Sequence, residues 1–70
     1  MMKYDLWRNG ALVGVFDFYE LRDWMLDNLP SDWAQEILRS VKATGSSDDA
    51  HYTLAWIGVC SEYCHVTEHV

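Results

Sequence analysis

Cys60, Cys64, His65 and His69 are the residues of this chain with metal-ligand chemistry at close spacing. Cys-x3-Cys-His-x3-His places two thiols and two imidazoles within ten residues, the ligand types that zinc takes. The spacing argues against a zinc-stabilised mini-domain. Zinc folds draw ligand pairs from separate elements, whereas adjacent Cys64 and His65 on a strand point to opposite faces. The expectation is two free thiols with no metal and no cofactor; a zinc site and a Cys60–Cys64 disulfide are the alternatives. Asp48, Asp49 and His51 read as a solvated loop and strand start. Catalysis by Cys60 or Cys64 requires a base set against the thiol and an oxyanion site, and no pattern in the chain indicates either. Gly10, Gly14, Gly45 and Gly58 are scattered rather than gathered into a phosphate-cradling loop. The chain is not expected to be an enzyme.

The second chemical pattern is acidic. Between Asp17 and Glu36 stand six carboxylates, Asp17, Glu20, Asp23, Asp27, Asp32 and Glu36, with Arg22 as the lone cation. On a helix, neighbours three or four residues apart recur about every 5 Å along the axis, comparable in scale with phosphates along a nucleic-acid strand. Such a line has two readings, an ordinary solvated surface or a face that occupies the DNA-binding cations of another protein.

Seventy residues with a net charge of −6 favour a basic partner over nucleic acid or an anionic membrane, both of which require Lys and Arg. The length suits one domain, residues 1–70, near the lower limit for a core without a disulfide or metal. Trp7, Trp24, Trp33 and Trp56 supply large buried area, with Trp7 the most exposed by expectation. Together with Leu12 on the less apolar hairpin face, Trp7 offers an alternative protein-interaction surface, including one for dimerisation. The expected state is otherwise a monomer. No secretion signal follows Met1 and no apolar run approaches the ~20 residues of a membrane span, so the expected compartment is the cytoplasm.

The elements that must position these residues follow from local signals. Asn9-Gly10 marks a two-residue hairpin turn between strands 3–8 and 11–16, pairing Arg8 with Ala11, Trp7 with Leu12, Leu6 with Val13 and Tyr4 with Val15. Tyr4, Leu6, Val13 and Val15 then form the core face, with Gly14 a candidate bulge. Asp17 and Glu20 have capping-box spacing, flanked by a Phe16–Leu21 staple, and Phe18, Leu21, Trp24, Met25 and Leu29 form an apolar stripe. Pro30 ends this helix. A second starts at Ser31 or Asp32, with Asp32–Gln35 repeating the capping-box spacing and Trp33, Ala34, Ile37, Leu38 and Val41 facing inward. Arg39 and Lys42 suit its C-terminal dipole, and Gly45 is its stop. Residues 44–50 read as a polar loop. Tyr52 to Val59 reads as a strand apolar on both faces, hence central, and residues 63–67 as a fourth strand after a turn at Ser61-Glu62, or as a short helix or tail. The order ββααβ(β) predicts an α+β domain: a small antiparallel sheet of N-terminal hairpin plus one or two C-terminal strands, with two helices on one face.

In size, acidity and α+β pattern, and in the run Asp17-x-x-Glu20-x-x-Asp23-x-x-x-Asp27 with Asp32 and Glu36, the chain resembles phage-encoded inhibitors of bacterial defence, the anti-CRISPR proteins. That group shares no signature motif. The resemblance implies a noncatalytic phage protein acting in the host cytoplasm by DNA mimicry. It implies that Asp17, Glu20, Asp23, Asp27, Asp32 and Glu36 contact the basic, duplex-binding surface of a type I CRISPR surveillance complex.

Overall fold

The computed structural model describes the backbone of residues 2–55 and 58–70, and the side chains of residues 2–49 and 62–70. Its elements run β1 (Lys3–Arg8), β2 (Ala11–Asp17), α1 (Phe18–Asn28), α2 (Ser31–Thr44), β3 (Ser47–Ala55) and β4 (Gly58–Glu68). The strands form one antiparallel sheet in the order β2-β1-β4-β3, so the two hairpins meet through β1 and β4. This is the expected α+β architecture with its fourth strand.

Asn9 and Gly10 both take positive φ, as a two-residue turn of this hand requires, and Arg8 faces Ala11 and Trp7 faces Leu12. Beyond that the register shifts: Leu6 faces Gly14 and Tyr4 faces Phe16, not Val13 and Val15. Val13 is the extra residue of a β-bulge, and a one-residue slip exchanges the faces of everything after it. Val13 and Val15 are therefore exposed, at 38% and 43%, while Phe16 packs on the core beside buried Tyr4 and Leu6. Gly14 follows the bulge directly, with Phe16's ring 3.3 Å from where a β-carbon would stand.

Leu21, Met25 and Leu29 from the α1 segment and Trp33, Ala34, Ile37, Leu38 and Val41 from α2 close over Tyr4, Leu6, Cys64 and Val66, with Phe18 and Trp24 at the margin. The predicted stripes on both helices are thus the buried ones. Arg8 bridges the layers, ion-paired to Glu62 and lying over the Trp24 ring at 5.8 Å. Trp7 and Trp24 are both half-buried and Trp33 is buried; Trp56 lies outside the described residues.

The helix ends differ from each other. Asp17 caps α1 with a complete capping box. The second capping box expected from Asp32 and Gln35 does not form. Proline 30 occupies the N-cap of α2 without a side-chain cap; Asp32 Oδ1 accepts the N–H of adjacent Trp33, and Gln35 donates to Ser31. Gly45 ends α2 in the left-handed region, its N–H bonded to Val41 O at 2.8 Å.

The C-terminal third departs most from the sequence reading. The strand expected over 52–59 is the meeting of two strands, with Ala55 paired to Gly58. The expected turn at Ser61-Glu62 lies inside β4, and the expected loop 44–50 already contains β3 from Ser47. β3 is an edge strand rather than a central one. The doubly apolar stretch belongs to the distal part of a hairpin that continues past β1, which pairs only with residues 64–68.

Candidate protein-binding surfaces

The acidic residues divide according to what the fold already asks of them. Asp17 Oδ1 accepts the Glu20 N–H at 2.8 Å, and Glu20 Oε1 accepts the Asp17 N–H at 3.1 Å. The Glu20 amide, chiefly, and Lys3 to a lesser degree hold the Asp17 carboxyl below its ordinary range against an opposing desolvation effect. Glu20 also reaches Lys3 Nζ at 3.7 Å, tying α1 to β1. These two carboxylates build the helix start.

Asp23, Asp27, Asp32 and Glu36 are exposed and take no part in the core. Asp23 and Asp27 lie away from the Leu21–Met25 side of α1, and Asp32 and Glu36 away from the Trp33–Ile37 side of α2. Arg22 approaches Asp23 at 3.7 Å and Arg39 approaches Glu36 at 3.2 Å, both in the open. Exposed pairs of this kind contribute about 0–1 kcal/mol, so another protein's cations can displace them. Among the described residues Asp27 has no cationic partner.

A second surface lies on the other side of the sheet. Since Tyr4 and Leu6 turn towards the helices, Asp5 and Trp7 turn away, beside Val15 and Thr67 and beside Leu12 and His65. No described helix covers this face. Leu12 is 52% exposed and Tyr63 40% exposed. Asp5 and His69 meet across it, Oδ1 to Nδ1 at 2.8 Å, and the Tyr63 hydroxyl donates to Asp48. The sequence pointed to Trp7 and Leu12 here. Val13 and Val15 join the exposed apolar set through the bulge, and Gly14 within β2 was the one signal for it.

Among the described residues, the metal-ligand candidates Cys64, His65 and His69 do not converge. Cys64 is a fully buried free thiol on the helix-facing side of β4, and burial pushes its pKa up, away from the thiolate that zinc requires. His65 points from the opposite face, and His69 is engaged with Asp5. The side chain of Cys60, and with it the proposed disulfide partner of Cys64, lies outside the described residues, as does that of His51. Among the described residues no cluster of three or more His, Cys, Asp or Glu side chains forms a metal site. No helix among them is long and apolar enough to cross a membrane.

Compared with protein-family models, curated proteins and solved structures, the chain matches none of them.

Proposed function

We propose that the protein is a noncatalytic inhibitor that binds a basic nucleic-acid-handling protein through the acidic outer surface of its helix layer, in the manner of anti-CRISPR proteins that block DNA binding by a type I surveillance complex. The observation that carries this reading is the exposure of Asp23, Asp27, Asp32 and Glu36 on two packed helices whose inner faces are the core. None of the four is part of the core, and apart from the Asp32 contact to the Trp33 N–H and the open pairs of Asp23 and Glu36 their charge faces solvent, where it attracts a cationic groove built for duplex phosphates. Asp17 and Glu20 add charge to the same side but are committed to the helix start. The protein acts in the host cytoplasm, as a monomer, without cofactor. A pull-down from bacterial lysate at low and high salt tests this. Recovery at low salt only, of subunits that bind nucleic acid, is the expected result; a partner held equally at high salt contradicts it.

The exposure of Leu12, Val13 and Val15 on β2, beside Trp7, favours a second reading, an interaction module that docks through the open sheet face. It predicts partner binding or self-association that is insensitive to salt and weakened by Trp7→Ala.

A further inference from the structure

At the start of α1 a groove of about 380 Å³ opens between β1, α1 and α2, lined by Tyr4, Phe18, Tyr19, Arg22 and Lys42. Its charge runs against that of the molecule. The chain has five Lys and Arg side chains. Three are spent on carboxylates away from the lining: Lys3 on Glu20, Arg8 on Glu62 and Arg39 on Glu36. The remaining two both line the groove. Arg22 reaches only its sequence neighbour Asp23, at 3.7 Å, and Lys42 has no ion pair among the described residues.

The rest of the wall is aromatic. Phe18 and Tyr19 meet edge to face with centroids 5.9 Å apart, and the Arg22 guanidinium lies over the Tyr19 ring at 5.3 Å. A guanidinium over a ring face still has N–H groups that can donate to an anion. Tyr4 closes the floor as a largely buried side chain. Ring faces together with two exposed cations, Arg22 in a weak open pair and Lys42 without an ion pair among the described residues, suit a ligand that is planar at one end and anionic at the other.

We propose that this groove binds a small aromatic anion, a single ring system carrying a phosphate or carboxylate. The rings of Phe18 and Tyr19 contact the planar part, and Arg22 and Lys42 take the charge. The groove adjoins the acidic surface through the Arg22–Asp23 pair but calls for a ligand of the opposite charge, so it does not rest on what that surface binds.

The test is an amide chemical-shift titration of the labelled protein with adenosine 5′-monophosphate and, separately, indole-3-acetate. Adenosine and inorganic phosphate serve as half-ligands. At least one of the two aromatic anions should move the Tyr19, Arg22 and Lys42 resonances and bind about tenfold or more tightly than either half-ligand. A preference for the nucleotide assigns the anionic end to phosphate, and the reverse preference assigns it to carboxylate. Arg22→Gln with Lys42→Gln should abolish the shifts. Tyr19→Ala, at a residue 60% exposed and so free of a core role, should weaken them. No response to either anion, or equal affinity for a half-ligand, overturns the proposal, as does undiminished binding by the folded double variant.

Discussion

Asp17 and Glu20 exchange hydrogen bonds across the first turn of α1, each carboxylate accepting the other's backbone N–H. The pair joins β2 to the helix without a connecting loop, and Lys3 anchors it to β1. Asp17→Ala should therefore lower the urea midpoint at neutral pH, whereas Asp17→Asn, which still accepts the amide, should lower it less. The lowered pKa gives the effect a pH signature. Its stabilisation is present above the ordinary carboxylate value and is lost as pH falls through the folded-state value. The difference between wild type and Asp17→Asn should narrow on acidification. A difference that does not change with pH contradicts the assigned cause.

The core is small enough that one deletion should show. Leu21 is fully buried among residues from both layers, and Leu→Ala at such sites costs about 2–5 kcal/mol. A chain of this length is stabilised by about 3–10 kcal/mol in all, so Leu21→Ala should be largely unfolded at mild urea concentrations. Leu26→Ala, on the exposed side of the same helix, should shift the midpoint little.

Gly45 holds two constraints that a double mutant can separate. Its φ of +85° disfavours any side chain, and an added β-carbon would clash with the Glu68 carboxylate. Gly45→Ala should cost about 1–2 kcal/mol from the backbone alone. Adding Glu68→Ala should relieve only the steric part, measured as partial recovery in urea denaturation. Full recovery would show that the left-handed cap is not what the glycine supplies.

Cys64 should resist thiol reagents in the folded protein and react on unfolding, because its sulfur is buried and its thiol form favoured. Peptide mapping after labelling with and without denaturant reads this directly. Labelling of Cys64 in the native state at the rate of an exposed thiol contradicts it.

The elements most visible in the sequence were those defined by local chemistry. The Asn9-Gly10 turn, the Asp17–Glu20 cap, the stripes of both helices and the Gly45 stop all rest on contacts within a few residues. What escaped depends on longer range. Gly14 marks a candidate bulge, but which faces it exchanges reflects the side of β2 that the core of β1 and the helices demands, and alternation along one strand does not give it. The apolar run through Tyr52 and Val59 reads as central because one buried strand and the adjoining ends of two paired strands share the same composition. The outer carboxylates were placed on exposed helix surface correctly. Asp17 and Glu20 were legible both as cap and as ridge, and the structure gives them the first task. The groove of Tyr4, Phe18, Tyr19, Arg22 and Lys42 draws on three elements, so no stretch of sequence announces it.

The proposed function requires that the charge of Asp23 and Asp27 engage a surface built for DNA. Displacement of a fluorescent target duplex from a type I surveillance complex, followed by anisotropy, measures it most directly. Wild type should release the duplex. Asp23→Lys with Asp27→Lys, at two exposed positions outside the core, should keep the wild-type urea midpoint and lose the displacement. Displacement by the double variant equal to wild type, or none by wild type, would contradict the account.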